Sequence, residues 1–123
     1  MILVVEDEDA VRDAIAAHLR DHGCQVLVAS DGIAALAVLA KNPDVSILIS
    51  DLIMPRMGGR ELARLAAEQI PGLRFLFMSG YADQTVDDGP DGIGSPNVLL
   101  QKPFTMDVLL SRIANLSRSE SAP

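Results

Sequence analysis

The stretch Val45-Ser46-Ile47-Leu48-Ile49-Ser50-Asp51, followed by Leu52-Ile53-Met54-Pro55-Arg56-Met57-Gly58-Gly59, decides the fold of this chain. It begins as an almost unbroken apolar run, which is typical of a strand covered on both faces. The run ends on a carboxylate, and a loop marked by proline and glycine follows. A carboxylate at the end of a buried strand is poorly solvated, so it needs a cation or hydrogen-bond donors nearby. We therefore expect the rest of the chain to bring such groups to Asp51.

Length and composition narrow the class of protein. The 123 residues suit one domain, and a hydrophobic content of 49% with only 3% aromatic residues predicts an aliphatic core. The net charge of −7 argues against direct binding to nucleic acid, which requires a basic patch. No apolar run has the length of a membrane span, and the lone Cys24 excludes an internal disulfide. These features predict a cytoplasmic domain that does not bind a membrane directly.

Strands and helices alternate along the sequence. Apolar runs predict five strands, over residues 2–5, 25–29, 45–51, 73–78 and 98–101. Helical periodicity predicts helices over residues 10–22, 32–41, 59–69 and 106–117. Between the last two strands, glycines and prolines in residues 82–97 leave room only for a short or irregular fourth helix near 83–88. The domain is expected to cover residues 1–117, and residues 118–123 to form a disordered tail.

Three residues are predicted to cap helices, and one helix is assigned a buried face. Asp9, Asp31 and Thr105 stand where N-caps belong. The packing stripe of the second helix is expected to consist of Ile33, Leu36, Ala37, Leu39 and Ala40.

Alternating strands and helices predict an α/β fold with a five-stranded parallel sheet and helices on both faces. Right-handed crossovers favour the strand order 2-1-3-4-5, the flavodoxin-like arrangement. Four strands of this sheet end on polar side chains. These are Glu6-Asp7, Asp51, Ser79 and Lys102.

The carboxyl ends of parallel strands lie along one edge of the sheet, where ligands bind in such folds. Asp7 and Asp51 follow the two strands that flank the switch point, so they are expected to lie close together, and both stay ionised only with a cation between them. Oxygen ligands suit Mg²⁺ or Mn²⁺ rather than zinc. The metal ion, the Lys102 ammonium and the Ser79 hydroxyl together form a site for a dianionic phosphoryl group. Asp51 is the nucleophile best placed to receive that group.

These residues together resemble the receiver domains of two-component response regulators. The resemblance rests on four motifs and covers residues 2 to about 117. The motifs are Glu6-Asp7, the loop Asp51-Leu52-Ile53-Met54-Pro55-Arg56-Met57-Gly58-Gly59, Ser79-Gly80 and Lys102-Pro103-Phe104. Two strings, Phe77-Met78-Ser79-Gly80-Tyr81-Ala82 and Leu100-Gln101-Lys102-Pro103-Phe104, are most similar to receivers at the C-terminus of hybrid sensor histidine kinases.

The resemblance implies a phosphorelay function. By this resemblance, Asp51 is expected to accept a phosphoryl group from the phosphohistidine of a histidine kinase or histidine phosphotransfer protein. The resemblance further implies that Mg²⁺ would be ligated directly by Asp7, mainly through water by Glu6, by one oxygen of Asp51 and by the backbone carbonyl of Ile53. Such a domain catalyses its own phosphorylation and slow dephosphorylation but is not a turnover enzyme.

The resemblance also assigns the remaining site residues. Ser79 and Lys102 are expected to reach two phosphoryl oxygens, and the small Gly80 leaves the approach open. The Lys102–Pro103 peptide bond is expected to be cis, which is uncommon outside such special positions.

The chain departs from the family pattern at two places. Receivers usually carry an aromatic residue three positions before the lysine, and here that position is Leu99. The glycines and prolines of residues 83–97 replace what is often a well-formed fourth helix. Both departures favour a phosphotransfer partner over a dimerising output domain.

Three other interpretations compete with the phosphoacceptor. His18, His22 and Cys24 resemble a zinc set, but a fourth ligand is missing from their neighbourhood. A receiver-like module that is never phosphorylated could use the same fold only to bind a partner. Metal-dependent phosphohydrolases also pass through an aspartyl phosphate, but many carry a second Asp two residues after the nucleophile, where this chain has Ile53.

Overall fold

The computed structural model describes residues 1–54, 56–79, 99–102 and 104–121. Strands and helices alternate through the first four strands. The elements are β1 (Ile2–Val5), α1 (Asp9–Asp21), β2 (Val26–Ala29), α2 (Gly32–Lys41), β3 (Ile47–Asp51), α3 (Gly59–Gln69), β4 (Arg74–Ser79), β5 (Leu99–Gln101) and α4 (Met106–Ser121). Each predicted strand and each of the four main helices is present, with bounds that differ by a few residues.

The five strands form one sheet in the order β2-β1-β3-β4-β5, and every neighbouring pair is parallel. This confirms the predicted α/β fold and strand order. The chain reverses its direction of winding between β1 and β3, which is where ligands bind in sheets of this kind.

The sheet is covered on both faces, as its apolar strands require. One core joins the sheet to α1 and α4 through side chains such as Leu19 and Ile113. The other joins the opposite face to α2 and α3 through Leu39 and Leu62. Strand β3 contributes Ile47 and Ile49 to the first core and Leu48 to the second, which explains its continuous apolar run.

Two of the three predicted caps are confirmed and one is wrong. The Asp31 carboxylate accepts a hydrogen bond of 2.8 Å from the Ala34 backbone N–H, and Thr105 Oγ1 accepts one of 3.2 Å from Val108. Helix α1 begins at Asp9 itself, and its N-cap is Glu8, whose side chain makes no capping bond. Asp9 instead pairs with Arg12 at 2.9 Å, one turn along the same helix.

The predicted packing stripe of α2 is confirmed for Leu36 and Leu39 but wrong for Ile33, Ala37 and Ala40. Ile33 is 57% exposed, and Ala37 and Ala40 are also exposed, whereas Ala35 and Leu39 are buried. Nearly every residue of this helix is apolar, so periodicity could not choose between its faces. The buried face of α2 is instead determined by how the helix packs on the sheet.

Helix α4 continues to Ser121, four residues beyond its predicted end at residue 117, and the disordered tail stays a prediction. The domain boundary at residue 117 remains a prediction. The expected short helix near 83–88, Gly80 and the Lys102–Pro103 bond lie outside the described residues. Within the described part, none of the helices combines the length and the apolar character needed to cross a membrane.

Candidate functional site

The predicted polar residues lie at one edge of the sheet, where the strands end. Asp51 and Ser79 are the last residues of β3 and β4, and Glu6 and Lys102 directly follow β1 and β5. The register explains their proximity, because Val5 pairs with Ser50, Asp51 with Met78, and Ser79 with Gln101.

Three carboxylates form an acidic cluster in which one oxygen each from Glu6, Asp7 and Asp51 lies within 4.8 Å of the others. Glu6 has no exposed surface and Asp51 is 7% exposed, whereas Asp7 is exposed to solvent. The Asp7 backbone N–H donates to Glu6 Oε2 at 3.1 Å. Two of the three negative charges are therefore held away from water and close to each other.

Lys102 supplies the positive charge of the site. Its Nζ lies 2.7 Å from Asp51 Oδ1 and 3.3 Å from Glu6 Oε1. Its backbone N–H donates to the Ser79 carbonyl at 2.6 Å, which ties the residue after β5 to the end of β4. The ammonium thus bridges the two buried members of the acidic cluster.

The electrostatics of the cluster appear in the pKa values of Glu6 and Lys102. Burial raises the pKa of the Glu6 carboxyl above its usual range, and the hydrogen bond and negative charge of Asp51 raise it further, against the weaker effect of Lys102. Burial alone would lower the pKa of Lys102, but Asp51 and Glu6 outweigh it and the pKa is raised. The site therefore holds a protonated lysine beside Glu6, whose raised pKa makes this carboxyl difficult to keep ionised.

The acidic cluster fits a hard divalent cation. Its three donors are carboxylate oxygens, and a cation among them would relieve the repulsion from Asp51 that adds to the effect of burial on the Glu6 pKa. Among the described residues no other group of three metal-capable side chains converges. The rings of His18 and His22 do lie 4.7 Å apart on α1, but within that described part no third ligand joins them.

Ser79 and Ile53 occupy different environments beside the cluster. Ser79 is 2% exposed at the end of β4. Ile53 lies two residues beyond Asp51 with a side chain that is 65% exposed. Because an isoleucine side chain has no donor atom, a ligand from Ile53 would have to be its backbone carbonyl.

Glycine is required where the loop after Asp51 closes. The Gly59 N–H donates to the Leu52 carbonyl at 2.7 Å, and a Cβ atom on Gly59 would lie 2.5 Å from the Asp51 carbonyl oxygen. Met54 is buried in the core, and its Sδ accepts a hydrogen bond of 3.7 Å from the Ser50 hydroxyl, so this methionine is a packing residue of the loop.

Sequence reasoning missed Arg56 in the same loop. Its φ is +68°, an uncommon value for a residue other than glycine, and its guanidinium lies 2.7 Å from the Asp31 carboxylate. No local sequence signal pairs these residues, because they are 25 positions apart.

Leu99, where receivers usually have an aromatic residue, is half-buried against Leu52 and Phe77. Phe77 is its partner in the β4–β5 register and stacks at 5.9 Å with Phe75. The Leu99 carbonyl accepts a hydrogen bond of 3.0 Å from Arg112 of α4.

Comparison with known sequences shows that this chain is similar to receiver domains and to regulators and kinases. The family model described as the response regulator receiver domain matches residues 2–114. The response regulator receiver protein CpdR of Brucella abortus is 33% identical over 115 residues, which cover 94% of each chain. The sensor kinase CckA of the same organism is 40% identical over 83 residues, which cover 67% of this chain but 9% of the kinase.

Solved structures of receiver domains also superpose on this chain. The receiver domain of the hybrid histidine kinase CckA superposes with a TM-score of 0.73 at 33% identity, covering 94% of this chain and 96% of that one. A receiver domain protein from Clostridium thermocellum superposes with a TM-score of 0.83 at 25% identity, covering 97% and 94%. Among the sequence relatives, the MprA response regulator of a Mycobacterium species is 35% identical over 98% of this chain, and the matched region spans 51% of that protein's length.

Proposed function

Because the chain belongs to the receiver domains of response regulators, we propose that it accepts a phosphoryl group from a phosphohistidine onto Asp51 in a two-component phosphorelay. The observation that carries the proposal is the arrangement around Asp51, whose Oδ1 lies 2.7 Å from Lys102 Nζ beside two further carboxylates. An aspartate alone at a strand end could be structural. An aspartate that shares its site with an ammonium and with carboxylates that fit a divalent cation is suited to phosphoryl transfer.

In the proposed reaction, a carboxylate oxygen of Asp51 forms a bond to phosphorus while the P–N bond to the donor imidazole breaks. The electron pair of that bond stays with the imidazole nitrogen. Lys102 balances negative charge on the transferred group, and the Ser79 hydroxyl donates to one of its oxygens. Bound through Glu6, Asp7, Asp51 and the Ile53 carbonyl, Mg²⁺ or Mn²⁺ would neutralise phosphoryl charge.

The donor is proposed to be a histidine kinase or a histidine phosphotransfer protein in the cytoplasm. The similarity to the receiver of the hybrid histidine kinase CckA supports this class of partner. The domain would catalyse its own phosphorylation and slow hydrolysis without being a turnover enzyme.

Phosphorylation by a small-molecule phosphodonor tests the proposal. Wild type incubated with acetyl phosphate and Mg²⁺ is expected to gain the mass of one phosphoryl group, and Asp51→Asn is expected to gain none. Asp44→Asn, which removes an exposed carboxylate before β3, is the matched control and should be phosphorylated like wild type.

Two results would contradict the proposal. One is no incorporation into wild type, and the other is undiminished incorporation into Asp51→Asn. An unphosphorylated wild type whose partner binding survives Asp51→Asn would instead be an interaction module.

A further inference from the structure

We propose that Arg56 is a positioning residue for the phosphorylation site, and that its ion pair with Asp31 holds the loop after Asp51 in the shape that binds the divalent cation. The inference rests on the proposed function. It adds to it a contact outside the set Glu6, Asp7, Asp51, Ser79 and Lys102.

The loop between β3 and α3 has a backbone hydrogen bond at each end, and the buried Met54 packs into the core between them. At its start, the Leu52 N–H donates to the Met78 carbonyl at 3.0 Å, and at its end the Gly59 N–H donates to the Leu52 carbonyl at 2.7 Å. Between these bonds, Ile53 is largely exposed. Contacts made by the residues after Met54 would further restrict the segment that presents the Ile53 carbonyl.

Arg56 lies in this segment with a φ of +68°. The left-handed region is unfavourable for a residue with a Cβ atom, so such a conformation persists only where surrounding contacts impose it. The contact present here is the 2.7 Å ion pair between Arg56 Nη2 and Asp31 Oδ2.

Asp31 is a firm anchor for that ion pair. Its other oxygen, Oδ1, accepts the Ala34 N–H at 2.8 Å and so caps α2. The bond to Ala34, followed by the bond to Arg56, holds the pKa of Asp31 below its usual range. Because the carboxylate is already ordered by the helix, the ion pair requires less loss of side-chain freedom than a pair between two mobile side chains.

The next residues of the two loops also fit together. A Cβ atom on Gly32 would lie 2.7 Å from Met57 Sδ and 3.1 Å from Met57 Cβ. Met57 thus occupies the space that a side chain at position 32 would need. Asp31-Gly32 and Arg56-Met57 form two adjacent contacts that join the start of α2 to the loop after Asp51.

A double-mutant cycle with Mg²⁺ as the ligand tests the inference. Arg56→Gln removes the charge, and Asp31→Asn removes the opposite charge while keeping an oxygen that can cap α2. By titration calorimetry with Mg²⁺ alone, each variant is expected to bind about threefold to tenfold more weakly than wild type, somewhat less than the loss of a direct outer-shell partner. The double variant should be no weaker than the weaker single variant.

Arg56→Gly separates positioning from a merely structural role. Glycine accepts the positive φ, so urea unfolding of this variant should give at least the wild-type stability while its Mg²⁺ affinity falls. Arg56→Lys should recover part of the affinity. Arg64→Gln is the matched control, because it removes an exposed ion pair with Glu68 at 3.5 Å on α3 and should leave Mg²⁺ binding unchanged.

The possible failures are distinguishable. If Arg56→Gln and Asp31→Asn both bind Mg²⁺ as tightly as wild type does, this inference is overturned and the proposed function still stands. Independent, additive losses in the double variant also overturn it. A wild type that shows no Mg²⁺ binding overturns both.

Discussion

Lys102 Nζ lies 2.7 Å from Asp51 Oδ1, although the two residues leave different strands, β5 and β3, that are not neighbours in the sheet. Strand β4 lies between them and brings both to the same edge. The same ammonium contacts the fully buried Glu6 at 3.3 Å. Without a metal ion, Lys102 is thus the cation that allows two buried carboxylates to share the site.

Lys102→Met is expected to have opposite effects on stability and metal affinity. Removing one partner of a largely buried ion pair leaves Glu6 and Asp51 uncompensated, so the metal-free protein should lose about 1–3 kcal/mol in urea unfolding. Mg²⁺ affinity should rise, because the ammonium no longer competes for Asp51, while phosphorylation by acetyl phosphate slows. Lys41→Met, at the exposed end of α2, should change none of these quantities. Unchanged stability and unchanged affinity would contradict the bridging role.

Glu6→Gln is expected to stabilise the metal-free protein at neutral pH. The folded-state pKa of Glu6 is raised above its model value of 4.5, first by burial and then by Asp51. The native state therefore holds a proton more readily than the unfolded state, and the ionised carboxylate costs stability as pH rises above that value. The gain from Glu6→Gln should be largest at neutral pH and shrink as the pH falls toward 4.5.

The control for this change is Glu8→Gln, which alters an exposed neighbour and should leave the pH profile of unfolding unaltered. A stability gain that grows on acidification would reverse the sign and exclude a raised Glu6 pKa.

Mg²⁺ affinity is expected to fall as the pH is lowered. Protons compete with the cation for its carboxylate ligands, and the raised pKa of Glu6 means that this competition begins above the model value of 4.5 for that residue. Titrations at a series of pH values measure it directly. Affinity that stays flat from neutrality to about pH 4, near the model value for Asp, would contradict the site assignment.

Gly59→Ala is expected to destabilise the protein by about 1–3 kcal/mol, the typical range for forcing extra atoms into a packed site. The new Cβ would lie 2.5 Å from the Asp51 carbonyl oxygen and 2.9 Å from Leu52 Cα, and backbone atoms cannot move aside cheaply. Gly58→Ala is the matched control, since its Cβ would meet only the Leu52 carbonyl, at 3.3 Å. Equal losses for the two variants would show that glycine at position 59 is not required by close packing.

The sequence by itself determined the α/β fold, the strand order and the strand ends that supply the site. Apolar runs read as buried strands, and strand ends of a parallel sheet must share an edge, so the meeting of Glu6, Asp7, Asp51 and Lys102 followed from local pattern and topology. The Asp31 and Thr105 caps were also predictable, because an N-cap bond spans only three residues.

Tertiary structure decided what depends on side-chain direction and on contacts distant in sequence. It buried Glu6 and left its neighbour Asp7 exposed, and it turned Ile33 to solvent in a helix whose faces are almost equally apolar. It also joined Arg56 to Asp31, because the loops after β2 and β3 lie side by side only once both helices pack on the same face of the sheet. Local periodicity carries no information about such meetings, since they depend on how whole elements are placed.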